Sequence, residues 1–477
     1  MTEGMRPVPV HEGSGAGVRA AIVAQERGKA ARAKGGRKVK GMRSKPEQLN
    51  LPGVPRAKQG REVDPKWEWT EATVWTERML ATLERGVKGG RWYSLIDKVW
   101  KKETLERAAR AVLSKKGAGG VDGQSTEAFA AKASEELATL ERQLSEGRYE
   151  PKPVKRVWIE KLGSAEKRPL GIPTIRDRVV QTALVYVMEP IFENDFAEHS
   201  YGFRPGRSAQ QAIARVEGKL REGHRWIVDA DLKGYFDNIP QQRLMEVVAA
   251  KVADGRVLAL VEQYLRQGVM ETGKGWTPTV QGTPQGAVLS PLLANAYLDS
   301  LDHQMAQAGY EMTRYADDFV IQCRSREQAE KALAAIEAWT EEAGLKLHPE
   351  KTRIVEASQP GGFEFLGWHF ERGWKWPREK SVKRLKEVMR QQTPRTEGTS
   401  LERIVEGLNR RLRGWKQYFG GGRGGVYRQL DRWVRMRLRS ILRRRRGGRG
   451  RGRGRDHNRY PNVYFAELGL ISLEASA

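Results

Sequence analysis

Cysteine and histidine are scarce in this 477-residue chain, and their scarcity excludes two kinds of chemistry. Cys323 is the only cysteine, so the chain cannot form an internal disulfide. The seven histidines are scattered, and no two of them stand at the spacing typical of zinc ligands. We therefore expect neither a zinc site nor a disulfide-stabilised scaffold.

Long apolar runs are also missing. No uninterrupted apolar stretch approaches the roughly 20 residues that a membrane-spanning helix needs. The N-terminal charges are not followed by the apolar core of a signal peptide. These two absences predict a soluble, cytoplasmic protein without a membrane partner.

Negative charge is heavily outweighed by positive charge. The chain has 85 Lys and Arg against 59 Asp and Glu, which gives a formal net charge of +26. Solubility alone does not require such an excess, so it indicates a polyanionic partner. Nucleic acid is the leading candidate.

The composition divides the chain into four parts. Residues 1–60 are rich in Gly, Ala, Lys and Arg and have too few apolar side chains to fold alone, so we expect a disordered basic tail. Residues 61–150 show helical periodicity, interrupted by a glycine-rich loop at 117–123. Short β-runs alternate with helices in residues 151–376, and residues 377–477 are helical and basic.

The C-terminal part predicts two amphipathic helices. Thr399 and Glu402 have the spacing of a capping box at the start of the first. The second carries apolar residues on one face and Arg428, Arg432, Arg435 and Arg439 on another, which makes it a basic amphipathic helix. We expect a flexible Arg/Gly-rich polycation up to residue 455, and a return of residues 460–473 onto the helices.

Two adjacent carboxylates, Asp317 and Asp318, interrupt an apolar stretch at residues 314–321 that is typical of a β-hairpin. Burying two carboxylates side by side without a cation costs several kcal/mol, roughly, because of desolvation and like-charge repulsion. The pair therefore indicates a bound divalent metal ion. The alternative is a surface turn in which Asp tolerates unusual backbone angles.

A third carboxylate candidate lies upstream, where a β-run at residues 226–231 ends in Asp231. Phosphoryl transfer by two metal ions about 4 Å apart needs carboxylates that converge from separate strands. Asp231 beside Asp317 and Asp318 would provide them. Asp229 is an equal candidate at this point, because strand alternation places it on the same face as Asp231.

Between these two clusters, residues 281–295 form a glycine- and proline-rich turn that runs into an apolar helix. A plain structural turn needs one glycine and one proline, whereas this turn holds two glycines, two prolines and two glutamines. Glycine allows the backbone to approach a ligand closely. The composition therefore favours a functional loop.

Several motifs follow one another in a fixed order along residues 90–470. They are residues 117–123, Arg168-Pro169-Leu170-Gly171-Ile172-Pro173 with Asp177-Arg178, residues 200–208, the Asp231 block, residues 282–295, Tyr315-Ala316-Asp317-Asp318, residues 345–352 and residues 363–370. This ordered set resembles the reverse transcriptases encoded by bacterial group II introns, the intron-encoded maturase family.

The resemblance implies an α+β fold of the right-hand polymerase type. Fingers and palm would contain antiparallel sheet and helices, followed by an α-helical thumb and maturase domain. The implied function is RNA-directed DNA polymerase, together with maturase activity that assists intron splicing and retrohoming. Intron RNA, an RNA template, a DNA primer or target and dNTPs are the implied partners. The resemblance makes the arginine face of the second C-terminal helix, with Arg428, Arg432, Arg435 and Arg439, the candidate RNA-binding surface. In a bacterial cytoplasm, such a protein would associate with the nucleoid.

The resemblance also assigns the carboxylates. It implies that Asp231, rather than Asp229, binds metal together with Asp317, and that Asp318 supports them. The carbonyl of Leu232 would complete the coordination. Two Mg²⁺ ions are expected, with Mn²⁺ as a substitute, because the ligands are all oxygen. Asp237 would be structural.

Further residues match nucleotide-binding positions of the family. Lys161 and Arg168 would hold the triphosphate, and Phe236 would exclude a 2′-hydroxyl. Gln285 and Gly286 would contact the nascent base pair, and Lys351 is the candidate general acid for pyrophosphate. Glu160 replaces the usual proline before Lys161, which weakens that assignment.

Two alternatives remain open. The chain could be a non-catalytic RNA-binding splicing cofactor, although all three carboxylates are present. It could also be a related reverse transcriptase of a defence or diversity-generating system, although the basic C-terminal helices argue against this. No Cys/His endonuclease segment is found, so we expect second-strand cleavage not to be an activity of this chain.

Overall fold

The computed structural model describes residues 64–160, 167–396 and 398–474. The predicted disordered tail at residues 1–60 and the predicted phosphate ligand Lys161 lie outside the described residues. In the described part of the chain, no helix is both long and apolar enough to cross a bilayer.

Helices make up most of the described structure, with two short 3₁₀ turns at Pro65–Trp67 and Lys88–Gly90. The α-helices are α1 (Glu77–Arg85), α2 (Ile96–Trp100), α3 (Lys102–Ser114), α4 (Thr126–Ala131), α5 (Ala133–Ser145), α6 (Ile175–Glu193), α7 (Ala209–Arg221), α8 (Tyr235–Asn238), α9 (Gln241–Ala249), α10 (Gly255–Arg266), α11 (Ser290–Gln307), α12 (Arg326–Glu342), α13 (Glu379–Gln392), α14 (Leu401–Phe419), α15 (Gly425–Arg445), α16 (Arg455–Arg459) and α17 (Asn462–Glu467).

The strands are short and concentrated in the middle of the chain. They are β1 (Val154–Glu160), β2 (Lys167–Ile172), β3 (Trp226–Asp231), β4 (Val269–Glu271), β5 (Gly275–Thr277), β6 (Glu311–Tyr315), β7 (Asp318–Cys323), β8 (Arg353–Glu356), β9 (Phe363–Phe365), β10 (Trp368–Glu371) and β11 (Trp374–Pro377). The mixture of helices and mostly antiparallel sheet confirms the predicted α+β class.

The chain folds into two compact units, each made of several segments. Among the described residues, the first unit contains 64–160, 167–212, 231–317 and 333–350, and the second contains 213–230, 318–332, 351–396 and 398–474. The division falls at Asp231 and again between Asp317 and Asp318.

In the first unit, a buried carboxylate ties the N-terminal helices to the middle of the chain. Asp254 accepts hydrogen bonds from the backbone N–H groups of Leu95 and Ile96, at 2.6 and 2.8 Å. It also caps α10 by accepting from the N–H groups of Arg256 and Val257. One side chain therefore satisfies the free N–H groups at the starts of two helices.

The sheet of the first unit has the strand order β2-β1-β4-β5. Strands β1 and β2 are antiparallel, with Lys155 opposite Ile172, and β1 is parallel to β4. This antiparallel register places Arg168 opposite Ile159.

Helix α6 carries an acid whose environment disfavours its charge. Burial, reinforced by the charge of Glu193 one turn away, raises the pKa of Glu189 from 4.5 to about 7. Glu193 instead pairs with Arg204, whose Nη2 lies 2.8 Å from its Oε1. Below about pH 4.5 Glu189 is protonated in both the folded and unfolded chain, so it has no effect on stability there.

Between about pH 4.5 and 7 the unfolded chain loses this proton before the folded chain does, so stability falls as pH rises. We expect Glu189→Gln to raise the free energy of unfolding at pH 8 by about 1–3 kcal/mol, with the gain vanishing near pH 4. Denaturant unfolding across this pH range measures it. Glu193→Gln is the matched control and should destabilise, because Arg204 loses its partner. A Glu189→Gln chain no more stable than the native chain at pH 8 would contradict the prediction.

The second unit contains two small sheets. In one, β3 lies between β7 and β8, and β3 is antiparallel to β8 with Asp229 opposite Arg353. In the other, β10 lies between β9 and β11, all antiparallel. Leu366 and Gly367 join β9 to β10 with φ values of 48° and 84°, as a two-residue hairpin turn requires.

The C-terminal helices form their own core, as the apolar periodicity predicts. The fully or nearly fully buried residues of this core come from α13, α14, α15 and the last described segment, and include Met389, Val405, Leu412, Leu430, Leu438, Phe465 and Leu473. The return of residues 460–473 onto the helices is thereby confirmed. Helix α14 begins after Ser400, whose hydroxyl accepts from the N–H of Arg403, so the prediction of Thr399 as the cap is wrong.

The expected flexible polycation at residues 443–455 is also wrong. Arg443 and Arg446 both form ion pairs with the buried Asp456, at 2.9 and 3.0 Å. Gly452 packs so closely on α15 that an added Cβ would lie 2.5 Å from Cβ of Arg439. These contacts hold the segment against its own helix.

Candidate active site

Strand β3 ends at Asp231, and the next residues turn sharply. Hydrogen bonds from the N–H of His348 to the carbonyl of Asp231, and from the N–H of Lys233 to the carbonyl of Lys346, form a bridge on either side of Leu232. The carbonyl of Leu232 takes part in neither bond. Gly234 then adopts a positive φ of 56°, and α8 begins at Tyr235.

The structure separates Asp229 from Asp231, which strand alternation could not do. Asp229 accepts a hydrogen bond from Nε of Arg353 at 3.4 Å, within the sheet of the second unit. Asp231 belongs to the first unit. Asp229 therefore has a cation from the neighbouring strand as a structural partner.

Asp317 lies in a turn whose backbone is fixed by a buried arginine. Ala316 has a φ of 59°, which is uncommon for a residue other than glycine. Nη1 of Arg314 donates to the carbonyl of Ala316 and to Oδ1 of Asn295, both at 3.0 Å. Asp317 itself is only 4% exposed.

The charge of Arg314 is balanced by Asp302 of α11. Both side chains are fully buried, and Nε of Arg314 lies 2.8 and 3.0 Å from the two carboxylate oxygens. Asn295 of α11 also donates to the carbonyl of Gly202 at 2.7 Å. We name Gly202, Asn295, Asp302 and Arg314 the turn support, because they hold the backbone before Asp317.

Glycine is required at position 202 of the turn support. A Cβ added there would lie 2.2 Å from the backbone nitrogen of Ala316. The turn therefore packs directly on the backbone of residue 202. Residues 200–208 stand out as a motif in the sequence, but no local pattern predicts this contact.

Asp317 lies near the segment that follows Asp231. Burial raises the pKa of Tyr235 well above its usual value, and the charges of Asp317 and Asp302 act in the same direction. The Tyr235 hydroxyl donates to the carbonyl of Ala294 at 2.6 Å. The first unit thus brings α8, α11 and the Asp317 turn together.

The glycine-rich turn packs against this same segment. The N–H groups of Gly282 and Thr283 donate to the carbonyls of Ile239 and Phe236, at 2.8 and 2.7 Å. Gly282 has a φ of 78°, and a Cβ there would lie 2.6 Å from the carbonyl oxygen of Asp237. The turn therefore needs glycine for both conformation and space.

Gln285 connects three parts of the first unit. Its carbonyl accepts from the N–H of Gly171 at 2.7 Å, and its Oε1 accepts from Nε of Arg168 at 3.2 Å. Its Nε2 donates to Oδ2 of Asp237 at 2.6 Å. Asp237 thus has a structural role, as expected, because this hydrogen bond orients Gln285.

Arg168, Phe236, Gln285 and Gly286 are therefore neighbours in the first unit. Gly286 has a φ of 105°, and a Cβ there would lie 2.6 Å from the carbonyl oxygen of Gly171. Phe236 is half-buried and packs edge to face against Tyr235, with ring centroids 5.6 Å apart.

Asp318 and Lys351, both half-buried, belong to the second unit. Within residues 64–160, 167–396 and 398–474, no group of three or more His, Cys, Asp or Glu side chains is arranged to hold a metal ion. The first unit offers two carboxylates, Asp231 and Asp317, and the carbonyl of Leu232. In kind, these oxygen donors fit a hard divalent cation.

Four arginines of α15 were predicted to form one RNA-binding face, and the prediction is wrong for Arg439. This residue is 2% exposed and donates to the carbonyl of Tyr460 and to Oδ1 of Asn462, both at 2.8 Å. Arg432 is exposed and Arg435 is partly exposed. Arg428 is exposed but paired with Glu474 at 2.7 Å.

Comparisons with known proteins agree with the fold and the motif order. The sequence model of the family described as reverse transcriptase (RNA-dependent DNA polymerase) matches residues 159–370. That described as group II intron, maturase-specific domain matches residues 382–460. The chain thus combines a reverse transcriptase domain with a maturase-specific domain.

Protein YkfC of Escherichia coli (strain K12) is 34% identical, over 61% of this chain and 86% of YkfC. The group II intron-encoded protein LtrA of Lactococcus lactis subsp. cremoris is 38% identical, over 38% of this chain and 30% of LtrA. The chain belongs to the family of group II intron reverse transcriptases and maturases. A chain of the partial Cas6-RT-Cas1–Cas2 complex is 25% identical over 52% of this chain and 41% of that chain, with a TM-score of 0.34.

The family membership settles the class of activity. The chain is an RNA-directed DNA polymerase, and RNA and other nucleic acids are its substrates. Enzymes of this family generally use divalent metal ions.

Proposed function

We propose that Asp231 and Asp317 hold Mg²⁺ ions, with Asp318 in support and the carbonyl of Leu232 as a further ligand. The observation that carries this proposal is the turn support, which fixes the buried Asp317 carboxylate. The charge of Asp317 acts on Tyr235, four residues after Asp231. Bound Mg²⁺ would lower the pKa of the attacking hydroxyl and neutralise charge on the phosphates. Mn²⁺ would have the same ligands.

We further propose that Arg168, Gln285 and Gly286 position the incoming dNTP. Arg168 is held by Gln285 and would place its guanidinium against phosphate oxygens, where charge develops during transfer. Lys161 would be its partner. Lys351 would donate a proton to the pyrophosphate.

The proposed domain organisation has a basic tail at residues 1–60 and a helical extension of the fingers at 61–150. Fingers and palm would occupy 151–376, and the thumb and maturase region 377–477. The two family matches, at residues 159–370 and 382–460, support the last two assignments. The maturase region would bind intron RNA through its arginines and assist splicing and retrohoming.

Primer extension tests the proposed metal site. The native chain, supplied with Mg²⁺, an RNA template, a DNA primer and dNTPs, should synthesise cDNA, and chelation of the metal should stop synthesis. Synthesis that continues unchanged after chelation, or that needs a metal other than Mg²⁺ or Mn²⁺, would contradict the proposed site.

Selection of deoxynucleotides by Phe236 has its own test. We expect Phe236→Ala to raise ribonucleotide incorporation, relative to deoxynucleotide incorporation, by about tenfold or more, because the bulk that would meet a 2′-hydroxyl is lost. Extension with matched rNTP and dNTP pairs measures this ratio. Phe236→Tyr is the control and should keep the native ratio. An unchanged ratio in Phe236→Ala would remove Phe236 from this role.

A further inference from the structure

The second unit contains a small cavity of about 170 Å³ between α13, α15 and the segment that follows α15. Arginines contribute most of its polar lining. The lining residues are Arg390, Arg395, Trp433, Met436, Arg437, Ser440 and Arg451. We name this the arginine pocket. Drug-sized ligands occupy pockets of about 300–1,000 Å³, so this cavity suits one small chemical group.

The arginine pocket concentrates positive charge, and none of its described lining residues carries a carboxylate. Nε of Arg437 donates to Oγ1 of Thr393 at 2.6 Å, which holds its guanidinium in place. Among the described residues, none of the four arginines forms an ion pair with an acid. Burial, reinforced by the charges of Arg390 and Arg395, lowers the pKa of Arg437. Because arginine remains charged in proteins, the guanidinium groups of the pocket repel one another until an anion binds between them.

Trp433 forms an aromatic wall of the pocket. Its ring lies 5.7 Å from Cζ of Arg390, 5.6 Å from Cζ of Arg437 and 6.0 Å from Nζ of Lys386. The ring is partly buried against the C-terminal core. Planar guanidinium groups that are held against an aromatic ring offer both a cationic surface for phosphate and flat surfaces for a base.

Ordinary RNA duplex does not suit a concave pocket of this size. A double helix presents its phosphates on a convex surface, whereas an unpaired nucleotide can insert its phosphate and splay its base. We propose that the arginine pocket binds one unpaired RNA nucleotide, with the phosphate among the arginines and the base near Trp433. This proposal rests on the RNA-binding role proposed above for the maturase region.

Two double variants test the proposal because each removes two positive charges from the second unit. Arg390→Gln with Arg395→Gln changes the pocket. Arg428→Gln with Arg432→Gln changes two arginines of α15 that do not line the pocket, and all four arginines are exposed. We expect the pocket pair to weaken binding of a short single-stranded oligouridylate about tenfold more than the pair outside the pocket does. Binding of a blunt RNA duplex should fall equally in both, and both variants should melt like the native chain.

Tryptophan fluorescence provides a second measurement, which reports on the pocket directly. RNA binding should change the tryptophan fluorescence of the native chain, and Trp433→Phe should abolish most of that change. Three results would overturn the proposal. The two double variants could lose the same oligouridylate affinity, or the pocket pair could lose the same affinity for duplex as for single strand. Inorganic phosphate could also displace the oligouridylate at the same concentration as a mononucleotide does. Native protein that binds no RNA at all would instead overturn the proposed maturase function.

Discussion

Asp317→Ala is expected to reduce cDNA synthesis by about 10³-fold or more, because it removes a carboxylate that the proposed mechanism places on the metal ions. Asp317 is buried and held by a backbone turn, so no exposed neighbour can easily replace it. Single-turnover primer extension on an RNA template measures the effect. Asp317→Asn, which keeps the shape of the side chain, should be nearly as inactive.

Asp229→Ala is the matched control for this experiment. Asp229 lies two residues before Asp231 and pairs with Arg353 on the neighbouring strand. Losing this partly exposed ion pair costs less than about 1 kcal/mol, so we expect synthesis within tenfold of the native rate. The rate of cDNA synthesis by Asp231→Ala should fall to that of Asp317→Ala. Native synthesis by Asp317→Ala, in a chain that melts normally, would show that the proposed site is wrong.

Arg314→Met is expected to have the largest effect on stability. It leaves the fully buried Asp302 without its cation, and breaking a buried ion pair in this way costs about 3–5 kcal/mol. The expected result is a large fall in the melting temperature, measured by circular dichroism. An unchanged melting temperature in Arg314→Met would show that the ion pair between Arg314 and Asp302 does not stabilise the fold.

A double variant separates the stability role of Arg314 from its positioning role. Arg314→Met combined with Asp302→Leu removes both charges, and buried pairs replaced by apolar residues often lose little stability. We expect most of the melting temperature to return. Activity should remain low, because the carbonyl of Ala316 still lacks its donor. Recovery of both stability and activity would mean that Arg314 does not position the turn before Asp317.

The local elements of the site were predictable because they depend on short segments. Alternating apolar residues place Asp231 at a strand end, and the structure ends β3 there. The glycine-rich composition of residues 281–295 predicts a turn and then a helix, and α11 begins at Ser290. The same reasoning left Asp229 and Asp231 equivalent, because a repeat of two residues cannot distinguish them.

The sequence by itself determined the family, the order of the motifs and the residue types available for phosphoryl transfer and RNA binding. Only the tertiary structure decided which charged side chains bond to other parts of the protein. It buries Arg439 among residues 460–462, pairs Arg443 with Asp456, and gathers Arg390, Arg395 and Arg451 around Trp433. The physical reason is that the cost of a buried charge depends on partners from distant segments, which no local pattern specifies.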